Sequence, residues 1–214
     1  MQLLNTTASS TSIRAARHTF VALFSRLMAA GVIFMLYGAW TWGKLVLEII
    51  PLELAGLIAT IGLTSTLTAE AANPYRNFRE AWRSHVEARI LPILFVCAAL
   101  FLIPVGWKLC FARMAYLLLV CIHHFYRPAV VVAGKSTADI LQPIVAPFII
   151  GIWFITTRAS ASVAELLLII CCAEVVSTLL VYGRTFTEYT LPLSARIDVH
   201  VLRKAVRHTL PELL

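Results

Sequence analysis

Glu174 stands in the middle of LLLIICCAEVVSTLLV, an otherwise uncharged stretch with no basic residue within one helical turn. An ionisable side chain inside a bilayer is costly, so such a carboxyl is a candidate proton or cation site. The competing reading is a structural carboxyl bonded to Ser or Thr on another helix. Glu165 lies near the entrance of the same stretch, where Arg158 can pair with it. Nine residues separate the two acids, which puts them on opposite faces of a helix. Glu48 and Glu53 flank Pro51, and Lys44 stands four residues before Glu48. These four acids are the candidate ion sites.

Other chemistry finds little support. The five cysteines (Cys97, Cys110, Cys121, Cys171 and Cys172) form no C-x-x-C and have no histidine at ligand spacing, so no metal centre is expected. His123 and His124 are adjacent and point in different directions on a helix, a poor start for haem ligation. The phosphate-loop, H-E-x-x-H and G-x-S-x-G signatures are all absent. Ala133-Gly134-Lys135-Ser136-Thr137 only mimics the end of a phosphate loop, because Ala129 occupies the position of its first glycine. No enzyme activity and no cofactor are expected.

The elements that must position these residues are membrane spans. The chain has 214 residues, of which 60% are hydrophobic and 14% charged, with a mean hydropathy of +0.84. Soluble domains carry about 25% charged residues. The fold class expected is all-α, a polytopic bundle of about six transmembrane helices with an interfacial loop helix and an amphipathic C-terminal tail. The net charge of +7 then reports orientation rather than nucleic-acid binding.

In order, residues 1–26 form a polar and basic N-terminal segment, acid-free and rich in Ser and Thr. It reads either as a cytoplasmic lead into an interfacial helix, with Ile13, Ala16, Phe20 and Phe24 on one face, or as an organellar presequence. Residues 27–69 form a transmembrane hairpin, its connection bracketed by Gly43–Lys44 and Pro51. The second arm is rich in small and hydroxylated residues, which favour close helix packing. Residues 70–89 form a basic amphipathic loop. Residues 90–183 hold the remaining bundle, in which Pro143 and Pro147 are expected to bend a span. Residues 184–214 form a basic amphipathic tail.

Residues 109–134 decide the span count. If they cross, only Lys44, Lys108, Arg113 and Arg158 of the 18 basic residues lie on the outer side. If they do not, the basic residues divide almost evenly. The positive-inside rule favours crossing, hence six spans with both termini in the cytoplasm of a bacterial inner membrane, or on the equivalent side of an organellar inner membrane.

The loop carries a start signal, Asn73–Pro74, and an aromatic stripe of Tyr75, Phe78 and Trp82 backed by Arg76, Arg79 and Arg83. Arg76–Glu80 and Arg83–Glu87 are spaced to pair. With Arg203, Lys204 and Arg207 of the tail, these residues form a candidate docking surface for a partner protein or anionic headgroups. Ordinary interfacial packing is the plainer reading of the stripe. Two function classes follow. One is a non-enzymatic subunit or interaction protein of a larger membrane assembly, such as a membrane-machine subunit or an exclusion or immunity protein, partnered by other membrane proteins or its own copies. The alternative is a small ion- or proton-coupled transporter or channel using Glu174.

Overall fold

A computed structural model describes residues 2–61, 63, 66–67, 77–133, 142–157, 161–189 and 203. Its ordered elements are all helical: α1 (Gln2–Ala59), α2 (Phe78–Phe101), α3 (Trp107–Ala133), α4 (Gln142–Thr157) and α5 (Val163–Glu188). Among the described residues, four stretches are long and apolar enough to cross a membrane: Leu23–Ala59, Phe78–Phe101, Trp107–Ala129 and Val163–Leu180. Ile144–Thr156 in α4 is apolar but shorter. The protein is therefore a helical, membrane-embedded bundle.

The break in α1 falls at Gly38, not in the expected connection between Gly43 and Pro51. Gly38 has φ 81° and ψ 167°, a conformation that costs an L side chain dearly and glycine little. Residues 43–51 stay helical, and Pro51 sits inside the helix. A proline removes one intrahelical hydrogen bond, a loss that a helix within a bundle can absorb. The N-terminal segment is continuous with α1, and Phe20 and Phe24 stack with centroids 6.3 Å apart on its exposed surface.

A second correction concerns residues 70–89. Residues 70–76, with the expected Asn73–Pro74 start, lie outside the described residues. From Phe78 onward the chain is the first half of α2, which runs on through Pro92 to Phe101 without a separate loop helix. Its cap is Asn77, whose side chain accepts from the Arg79 backbone N–H. The Arg83–Glu87 pair forms at 3.0 Å.

α3 settles how residues 109–133 are built: they belong to one continuous helix containing Arg113 and Pro128. α4 passes through Pro147, while Pro143 falls in its first turn, where backbone N–H groups have no helical partner to lose.

α3 is the central helix. The part of α1 after Gly38 runs beside it in the same direction, with Glu48 against Arg113 and Gly56 against Leu117 and Val120. α5 is also parallel to α3, and His123 meets Glu174 and Thr178. α2 runs the other way, bringing Trp82 to Phe125 and Tyr126. One core joins all five helices, with Ile33, Leu45, Trp82, Leu117, Ile150 and Leu167 among its buried members.

Candidate functional site

Glu174 reaches His123 across the α3–α5 contact. Its Oε2 lies 3.4 Å from His123 Nε2, and Thr178 Oγ1 lies 3.0 Å from the same nitrogen. The three residues come from two helices by simple periodicity. Thr178 is one turn beyond Glu174 on α5, so both face α3. The sites also match in depth. His123 is six residues before the end of the apolar stretch Trp107–Ala129, and Glu174 is six before the end of Val163–Leu180. That is about 9 Å along each axis. Both side chains are about one-fifth exposed within the protein. Ser177, on the same face of α5, is buried, and its hydroxyl has no hydrogen-bond partner among the described residues.

The arrangement suits proton exchange. Imidazole is the side chain whose ordinary pKa is nearest neutrality. With the Nε2 proton present, His123 can donate to the carboxylate or to Thr178. With it absent, Nε2 accepts from the Thr178 hydroxyl. The Thr178 hydroxyl therefore keeps a partner in both states. Sequence reasoning isolated Glu174 but did not connect it to His123, because 51 residues separate the two and only the α3–α5 packing joins them.

The other three acids have different surroundings. Glu48 receives a bidentate pair from Arg113, 2.6 Å from Nε and 2.9 Å from Nη2. Glu53 accepts from the Tyr116 hydroxyl at 2.8 Å. Glu165 is engaged locally, with Ser162. Its carboxylate accepts from the Ser162 N–H at 2.7 Å and the Ser162 hydroxyl at 2.9 Å, and its own N–H donates back to Ser162 Oγ at 3.3 Å. This is a capping box at the exposed start of α5. The signal was present in the sequence as Ser162-x-x-Glu165. The expected partner, Arg158, lies outside the described residues.

The aromatic stripe also changes role. Trp82 is 1% exposed and is closed to a partner. Its Nε1–H donates to the Phe125 carbonyl at 2.7 Å, one residue beyond the carbonyl that Pro128 deprives of its helical donor. Its ring packs on Tyr126 and Tyr189; Phe78 also meets Tyr189, and the Tyr126 hydroxyl donates to the Tyr189 carbonyl at 2.8 Å. The stripe faces inward because indole and phenol rings bury large apolar areas while their polar ends find carbonyls. Arg79, Arg83 and Arg203 are exposed. Tyr75, Arg76, Lys204 and Arg207 lie outside the described residues.

A polar feature not foreseen is Arg89, which is fully buried. Nη1 donates to the His85 carbonyl at 2.8 Å and Nη2 to the Ile61 carbonyl, just past α1, at 2.9 Å. A cation is favourable at a helix C-terminus, where carbonyls lack partners.

A scan against protein-family models finds no match to this chain, and searches of curated proteins and of solved structures find no significant similarity either.

Proposed function

We propose that the chain is a small proton-coupled membrane transporter whose working group is the His123–Glu174 pair. The observation that carries this reading is the 3.4 Å approach of a carboxylate to an imidazole within two apolar spans. A fixed structural contact there needs no titratable partner, whereas proton movement does.

The reading includes six spans. The Leu23–Ala59 stretch, at 37 residues, extends about 55 Å, well beyond a hydrocarbon core of about 30 Å. Division at Gly38 leaves 21 residues from Ala39 to Ala59, about 32 Å, and an earlier arm that reaches 18 residues, about 27 Å, when counted from Phe20 to Tyr37. Tyr37 meets Phe154 edge-on near the end of α4, while Glu48 meets Arg113 near the start of α3. Those contacts favour a reversal at Gly38. Both termini then lie on the basic, cytoplasmic side of a bacterial inner membrane or its organellar equivalent. Reporter fusions at the two termini test this: signals from opposite sides contradict six spans.

The proton assignment is tested in vesicles holding a pH-sensitive dye, with proton entry driven by a potassium diffusion potential. Vesicles with the native protein should acidify faster than empty ones, and Glu174→Gln should bring the rate to the empty level. An unchanged rate in the variant overturns the assignment.

The second reading is a non-enzymatic subunit of a membrane assembly. It is favoured by the exposed Arg79 and Arg83 at the head of α2, which can meet an acidic partner or anionic headgroups. A native protein with no proton flux that purifies with stoichiometric unlike chains supports this reading instead.

A further inference from the structure

We infer that Glu53, positioned by Tyr116, is a second proton-binding station on the same path, separated from His123–Glu174 by a dry seam at Gly56, Leu117 and Val120. The inference rests on the proton-coupled reading and extends it to a second site.

The geometry begins on α3. Tyr116 and His123 are seven residues apart, two turns less about 20°, so they share one stripe at an axial separation of about 10 Å. Tyr116 is nine residues into the apolar stretch Trp107–Ala129 and His123 is six residues from its end. The stations therefore lie in opposite halves of the span. Each pairs a carboxylate with a side chain from α3: Glu53 with the Tyr116 hydroxyl at 2.8 Å, and Glu174 with His123. Below Glu53, Arg113 and Glu48 form a charged pair on the same two helices. Among the described residues, this pair stands one helical turn from Glu53 and Tyr116 at the α1–α3 contact.

Between the stations the helices touch. A Cβ built at Gly56 would lie 2.6 Å from Val120 Cγ1 and 3.6 Å from Leu117 Cδ1. Leu117 and Val120 are buried. Glycine permits this approach, and the approach excludes water from the turn between Tyr116 and His123. A proton taken up as water is lost from hydronium resides on the Glu53 carboxylate. It passes to the His123–Glu174 pair only when α1 and α3 part enough to admit water. An interrupted path of this kind limits proton entry to the rate at which the seam opens.

Val120→Ala thins the seam and tests the inference in the same dye-loaded vesicles, driven by a potassium diffusion potential. Proton entry should rise about fivefold or more over the native protein, and Glu53→Gln in that background should remove the increase. Tyr116→Phe should retain flux but move the pH of its half-maximum, a shift that loss of packing alone would not produce. If Val120→Ala flux depends on Glu174 but not on Glu53, the second station is refuted while the proposed function stands. If it depends on neither, both fail. An unaltered rate in folded Val120→Ala refutes the seam. Leu117→Ala opens the same seam if Val120→Ala does not fold, and Glu53→Gln alone, with native flux retained, also refutes the station.

Discussion

Two carboxylate–base pairs sit on α3, and they differ in whether the base can let go of its proton. Arg113 holds Glu48 with two short hydrogen bonds, one to each carboxylate oxygen. Guanidinium does not deprotonate in proteins, so this pair stays charged and fixed. His123 holds Glu174 at 3.4 Å, with Thr178 as a competing partner. This pair is looser, and imidazole is a base that exists in both neutral and charged forms. The first has the geometry of a structural bolt between α1 and α3. The second has that of a switch between α3 and α5. Position alone does not separate them, since both lie within the same apolar helix; the chemistry of the base does.

That contrast can be broken by substitution. Arg113→Ala should have the largest effect on stability, a loss of about 3 kcal/mol in detergent thermal unfolding, because it strands the Glu48 carboxylate. Glu48→Ala combined with Arg113→Ala should recover part of that loss, to within about 2 kcal/mol of the native protein, since no unpaired charge remains. Additive losses would mean that the two residues do not act as a pair. His123→Gln should cost less, about 1 kcal/mol, while abolishing the proposed proton flux. A larger stability loss with flux retained would make this pair a bolt as well. Thr178→Val should have the smallest effect, about 0.5 kcal/mol, with flux retained and its pH dependence displaced.

Much of the fold follows from local sequence. The apolar stretches, their helical state and the continuity of residues 109–133 are all legible from hydropathy and charge placement. Gly38 is harder to read. Gly43, Lys44 and Pro51 look like stronger punctuation, yet only the backbone at Gly38 leaves the helix. A glycine marks where a break is cheap, and tertiary packing chooses among the candidates. The capping box of Ser162 and Glu165 was fully legible, because its rule involves four consecutive residues. Trp82 was half legible: spacing identified its stripe but not whether the stripe faced the bundle or the outside. The His123–Glu174 contact was not legible, since neither residue carries information about which helices become neighbours.

Arg89 and Ile61 carry a consequence for biogenesis. A guanidinium with no exposed surface must leave the translocation channel into a place that already offers acceptors. Ile61, whose carbonyl it meets, is synthesised 28 residues earlier, and the His85 carbonyl lies on its own helix. The end of α1 is therefore waiting when α2 arrives, and the charge need never face lipid alone. On that order of synthesis, α1 would serve as the template on which α2 is received.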